Sequence, residues 1–219
     1  MFERTIITTE DGSQSIYVEG MNEHYHSTHG ALQESLHIFI NNGLKLCTKK
    51  SVSILEIGLG TGLNVLVTLK DAMSSGLHIH FHSLEKYPLV ADEYSKLHFD
   101  SLLGEETDDY LKTIHTSEWD CDVKVLPDFI LHKTLIDLLD WQPSHCYDVV
   151  YFDAFAPDKQ PDLWTEKVFR KIYLAMNDGG VLSTYCAKGQ VKRNLKAAGF
   201  IIESKPGPPG KREITVARK

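Results

Sequence analysis

A chain of 219 residues with 42% hydrophobic content can fill one α/β core and is too short for two full domains. No window approaches 18 uninterrupted apolar residues, and the first twenty carry acids where a leader would be basic and then apolar. These features argue against a membrane span or a secretory signal and predict a cytoplasmic protein. The net charge of −7 argues at first against an anionic partner, but residues 1–160 hold 11 Lys+Arg against 25 Asp+Glu, whereas residues 161–219 hold 12 against 5. A basic face on an acidic protein is a sign of nucleic-acid contact, with solvated helical lysines as the plain alternative.

In chain order, TIITT and SIYV read as short strands about a DG turn, and 29–44 has helical spacing, so residues 1–50 are expected to cap the same domain. SVSILEI (51–57) is a strand running into a glycine cluster, followed by a helix over 63–73, a strand over 77–85 and a helix over 88–98 that opens with proline. Residues 100–118 exceed a usual connection and predict a helical insertion. Then follow a strand over 122–126, a helix over 129–140 and a strand over 147–153. A helix over 161–176 leads through an NDGG turn to a strand over 181–186. The last helix, 191–200, stops at Gly199, and IIES and REITVA close the chain as a hairpin about KPGPPGK. Alternating strand and helix over 51–200 predicts one Rossmann-like α/β domain over 51–219: a mostly parallel sheet, covered on both faces, with one antiparallel strand near its C-terminal edge.

EIGLGTGLN (56–64) joins the first strand of this domain to its helix. The dinucleotide fingerprint GxGxxG would want glycine or alanine at 63, where this chain has Leu63. The pattern Glu56, Gly58, Gly60, Gly62, followed by Asn64, is instead similar to motif I of class I S-adenosylmethionine (AdoMet)-dependent methyltransferases. Two more acids are expected at strand ends: Glu85, suited to a ribose diol, and Asp128, suited to an adenine amino group. Either alone reads equally as a helix cap or a loop charge, but ligands of open α/β sheets bind along the strands' carboxyl ends. Asp153 ends the fourth strand beside the expected reversal of strand order. An alkylammonium has a pKa of roughly 10 and no lone pair while protonated, so a carboxylate here can orient an amine and take its proton. Phe155 offers a flat face and Pro157 stiffens the loop; the plain reading makes Asp153 a cap and Phe155 core.

DAFAPDKQPDLW, with EIGLGTGLN, HGALQES and GKRE, resembles the MnmC N-terminal domain family, also called MnmD, over nearly the whole chain. The resemblance implies a class I methyltransferase that moves a methyl group from AdoMet to the primary amine of 5-aminomethyl-(2-thio)uridine at the tRNA wobble position. It places Asp153 at the acceptor and Glu56, Gly58, Gly60, Gly62, Asn64, Glu85 and Asp128 around AdoMet. Phe155 and Pro157 are implied at the acceptor, and Lys188, Arg193, Lys211 and Arg212, with Lys192, at the anticodon stem-loop phosphates. Many relatives carry a fused FAD-dependent oxidase that makes the aminomethyl group. This chain is expected to be the stand-alone form, linked in function to whatever enzymes supply that group.

His78, His80 and His82 share one strand face but spread over about 13 Å, too far to converge on an ion, so no metal is expected. The four cysteines have no pairing pattern and read as free thiols. Tyr25, His29 and Glu34 are candidates for a cap closing over the site, and Trp164 reads as packing. A methyl or aminopropyl transfer to a small-molecule amine, and an idle RNA-binding subunit, are the competing readings.

Overall fold

SVSILEI and YDVVYF each hold consecutive apolar residues, Ile54 and Leu55 in the first and Val149, Val150, Tyr151 and Phe152 in the second, where a strand covered on one face would alternate. In the computed structural model, which describes residues 3–219, these two strands lie side by side and parallel at the centre of an eight-stranded sheet. The elements in order are β1 (Arg4–Thr8), β2 (Gln14–Val18), β3 (Glu23–His24), α1 (Ala31–Ser35), β4 (Ser51–Ile57), α2 (Leu63–Ser75) and β5 (His78–Glu85). Next are α3 (Ala91–Tyr94), α4 (Asp100–Leu103), α5 (Thr107–Thr116), β6 (Asp122–Leu126), β7 (Phe129–Leu135) and β8 (Tyr147–Phe152). The chain closes with α6 (Glu166–Leu174), β9 (Met176–Thr184), α7 (Gly189–Ala197), β10 (Ile201–Pro206) and β11 (Glu213–Arg218).

The large sheet has the order β10-β11-β9-β8-β4-β5-β7-β6, with β9, β8, β4, β5 and β7 parallel. The chain builds outward from β4 in both directions, so β4 and β8 flank the switch point. One face packs on α2, α5 and the N-terminal segment around Phe39; the other packs on α6, α7 and Trp141. β1, β2 and β3 form a separate small sheet, and α1 widens into a π-type turn over Leu36–Asn41 that enters the first core.

The predicted antiparallel strand is β11, inserted between β10 and β9. A second, β6, was not expected: the segment read as a helix over 129–140 begins as β7 and pairs with β6 through a tight turn at Pro127 and Asp128. Phe129, Leu131 and Lys133 alternate onto the buried face, while Ile130, His132 and Thr134 take the other. The lysine in that alternation disguised a period of two as a polar helical position. Smaller departures follow local rules. The 88–98 helix is only the turn Ala91–Tyr94, and the 161–176 helix starts at Glu166, where the Thr165 hydroxyl accepts the Val168 N–H. The NDGG segment lies inside β9, where the pairing with β8 shifts register. The insertion is helical as expected, as α4 and α5.

Lys133 is fully buried. Its ammonium donates to the Ile114 carbonyl at 2.7 Å and the His115 carbonyl at 3.1 Å, closing the C-terminus of α5, and it sits 4.5 Å over the Trp119 ring. Burial pulls its pKa down to about 8. Replacing it with methionine keeps the packing and strands two carbonyls, so Lys133→Met is expected to lower stability by about 1–3 kcal/mol in a denaturant titration.

Candidate active site

β4 hands over to the glycine loop at the switch point, where two main chains run against each other. Asp153 N–H donates to the Ile57 carbonyl at 3.2 Å, and a Cβ on Gly58 would stand 3.2 Å from the Asp153 carbonyl oxygen. Gly60, at φ 51°, has the Tyr25 ring where a side chain would begin, 2.9 Å from an ideal Cβ. Tyr25 thus roofs the loop and meets Phe155 edge-on, ring centroids 5.1 Å apart. The roof is tied down by Arg4, which donates to the Tyr87 carbonyl at 2.8 Å and pairs with Glu93 at 3.0 Å.

Around this junction lies a cavity of about 880 Å³, near the top of the roughly 300–1,000 Å³ range of small-molecule sites. Its lining includes Gly58, Gly60, Asn64, Glu85, Asp153, Phe155 and Lys211, all expected at the site, together with Tyr25, His29 and Glu34. Glu85 takes the Gly60 N–H at 3.0 Å on one oxygen and the Tyr87 N–H at 2.7 Å on the other, which fixes the carboxylate while leaving a lone pair on each. Asn64 donates to Asp153 Oδ2 at 2.8 Å, and its own Oδ1 is buried without a partner. Burial, and then the charge of Glu34, push the Asp153 pKa up to about 7 against the Asn64 hydrogen bond and the Lys211 charge.

Other expected residues lie elsewhere. Asp128 sits in the β6–β7 turn and pairs with His78 at the start of β5, at the far end of the sheet from the cavity. Asp128 is therefore not placed to meet an adenine in this cavity, contrary to the expectation from its position after β6. The acid that does reach the cavity from this part of the chain is Asp137, just past β7, bonded to Lys86 at 2.7 Å and to the Leu139 N–H at 2.8 Å. Reading 129–140 as a helix hid it. Glu56 is sealed beneath the loop: Ser83 donates to Oε2 at 2.6 Å, while Oε1 has no partner. Complete burial raises its pKa well above the carboxylate range, and a proton on it supplies a donor toward its neighbour Asn64. Gly62 opens α2 beneath α5 and does not line the cavity. Pro157 shapes the turn in which Lys159 and Gln160 N–H groups reach the Ala156 carbonyl, off the cavity wall. Lys188 pairs with Asp158, Arg193 binds Gln190, and Arg212 is exposed; none of the three lines the cavity. Lys159 and Tyr185 do line it and carried no sequence signal. Trp164 is core, its indole donating to the Phe155 carbonyl at 2.8 Å.

The described residues contain no group of three His, Cys, Asp or Glu arranged to hold a metal, and no helix among them is long and apolar enough to cross a membrane. The four cysteines are free. His82 is fixed between the Tyr147 hydroxyl at 2.6 Å and Thr134 Oγ1 at 2.9 Å.

A glycine turn and an acid on the next strand, opening at the switch point of a doubly wound sheet, define a nucleoside-cofactor crevice, and the fold is that of the class I methyltransferases. The chain belongs to the S-adenosyl-L-methionine-dependent methyltransferase family whose model matches residues 103–219. Among curated proteins it is similar to the tRNA 5-methylaminomethyl-2-thiouridine biosynthesis bifunctional protein MnmC of Cupriavidus metallidurans, 31% identical over 97% of this chain and 33% of that protein. The MnmC of Leptospira interrogans is 30% identical over 90% of this chain and 33% of its own length. The chain thus spans about a third of the curated relatives it matches. Among solved structures, MNMC2 from Aquifex aeolicus superposes with a TM-score of 0.80 at 27% identity, covering 100% of this chain and 71% of that one. Spermidine synthase from Thermotoga maritima shares the fold, with a TM-score of 0.64 at 16% identity over 100% of this chain and 69% of that one.

The residues present fit AdoMet: the loop leaves no room for a Cβ, and Glu85 keeps a free lone pair on each oxygen while its carboxylate is fixed by two backbone N–H groups. The loop is braced from behind. Leu111, Ile114 and His115 of α5 crowd Gly62, and the His115 ring, stacked on Tyr94 with centroids 4.7 Å apart, bonds through Nε2 to the Thr61 carbonyl at 3.0 Å. Burial lowers the His115 pKa to about 4, so the neutral ring donates from Nε2. His115→Phe preserves the stack without the donor and is expected to weaken AdoMet binding about fivefold, near the worth of one hydrogen bond. His115→Gln, which restores an N–H, should bind within about twofold of the native protein by calorimetry.

Proposed function

We propose that this chain methylates the primary amine of 5-aminomethyl-(2-thio)uridine at the tRNA wobble position, using AdoMet. The observation that carries the reading is Asp153: a carboxylate lining the cofactor cavity, held by Asn64, with the Phe155 and Tyr25 rings beside it. The similarity to MnmC proteins supplies the acceptor. Residues 51–219 then form the methyltransferase domain and residues 1–50 its cap.

AdoMet, when bound, supplies a methyl group on a sulfonium sulfur. The chain's own part is to hold the amine in line and manage its proton. With a pKa of about 7, Asp153 is poised to accept a proton near neutrality, where a carboxylate of ordinary pKa would be a poor base. The Phe155 ring offers a stacking face for the uracil, and its loop is pinned by three contacts: Gln160 to the Phe155 N–H, Trp164 to the Phe155 carbonyl, and Tyr185 to the Ala154 carbonyl at 2.8 Å. Lys159, Lys188 and Arg212 are exposed cations on loops and are assigned to phosphates of the anticodon stem-loop. A tRNA acceptor places the protein in the cytoplasm and makes it dependent on enzymes that build the aminomethyl group.

Incubation with labelled AdoMet and tRNA from cells lacking this gene, followed by nucleoside mass spectrometry, is expected to show one added methyl at the wobble uridine. Transfer to free polyamines with none to tRNA would overturn the reading. Asp153→Asn should abolish turnover while leaving AdoMet affinity within about twofold. Because Asp153 must be ionised to take a proton, kcat/KM should fall as pH drops below about 7. The same raised pKa means that stability is lost as pH rises from near 4 through 7, so Asp153→Asn should melt higher than the native protein at pH 8 and gain little at pH 4.

A further inference from the structure

Glu34, on α1, is 7% exposed, which for a carboxylate demands partners. One oxygen receives the Ser27 N–H at 2.7 Å, and the other faces the Lys211 ammonium at 3.3 Å. Lys211 reaches this position from the loop between β10 and β11. That loop is pressed onto the cap: a Cβ on Gly210 would overlap the His29 ring, and His37 Nε2 bonds to the Pro206 carbonyl at 2.8 Å. The lysine ammonium lies 5.2 Å over the Tyr185 ring, and Glu34, Asp153, Tyr185 and Lys211 all line the one cavity. The basic loop has therefore turned one of its cations inward, away from any phosphate, into the acceptor end of the site.

A lysine side chain ends in a primary alkylammonium, the same group as a protonated aminomethyl substituent. Two carboxylates and an aromatic face are what such a cation binds. We propose that Glu34 and Asp153 together form the receptor for the acceptor's ammonium, and that Lys211 fills this receptor in the free protein until the acceptor displaces it. The inference rests on the reading that the acceptor is an amine. Exchange of one ammonium for another keeps Glu34 paired throughout, whereas a second cation beside Lys211 would meet like-charge repulsion. Occupancy by Lys211 lowers apparent acceptor affinity by the fraction of time the receptor is free.

The test uses the full chain loaded with S-adenosylhomocysteine and titrated with two probes, 5-aminomethyluridine and its neutral counterpart 5-hydroxymethyluridine. Lys211→Met is expected to bind the amine about five- to tenfold tighter than the native protein, with Lys211→Gln as a second variant and Lys211→Arg, which keeps the cation, unchanged. Glu34→Gln should bind the amine at least about tenfold more weakly, and the neutral nucleoside should not distinguish any of these proteins. Equal or weaker amine binding by both Lys211→Met and Lys211→Gln overturns the displacement while leaving the amine reading intact. Failure of every protein to prefer the amine over the neutral nucleoside overturns that reading and this inference with it.

Discussion

The parallel pairing of β4 with β8 is the constraint on which the rest depends. It carries the glycine loop and the Asp153 loop out of the sheet side by side, close enough that main-chain atoms of one occupy the space a side chain on the other would need. Every other wall is placed relative to that junction. Glu85 is held by the loop's own amide, Asn64 points from the first turn of α2 to Asp153, and Tyr25 closes down onto Gly60. The cavity opens here because two chain reversals leave the sheet at the same spot.

What the sequence revealed and what it concealed divide along a physical line. Gly58, Gly60, Glu85 and Asp153 were legible because position at a strand end is a local property, readable from where an apolar run stops. Asp128 was misplaced for a related reason: with β7 mistaken for a helix, the acid after β6 looked like a crevice residue, although it lies in a turn at the opposite end. Correct alternation over Phe129, Leu131 and Lys133 would have pointed to Asp137 instead. Glu56 was read as a ligand because it opens the motif, yet its place within β4 turns it beneath the loop, where Ser83 and Asn64 meet it.

The contribution of Lys211 belongs to a different category. Its charge was expected at the rim, and nothing local says that it turns inward. That outcome depends on the insertion of β11 between β10 and β9, on the close contact of Gly210 with His29, and on a buried Glu34 from the opposite end of the chain. The same holds for α5, whose residues looked like an unassigned insertion and serve to brace Thr61 and Gly62. Long-range packing of this kind leaves no periodic trace in sequence.

The Glu34–Lys211 contact also sets a rule for how such a chain can diverge. A carboxylate with so little exposed surface does not tolerate loss of its cation without losing stability. The two positions, far apart in the chain, therefore form a single unit of drift: a neutral residue at 211 is accommodated most easily once residue 34 has also given up its charge. Through this pair, the history of the first turn of the cap is bound to that of the final hairpin.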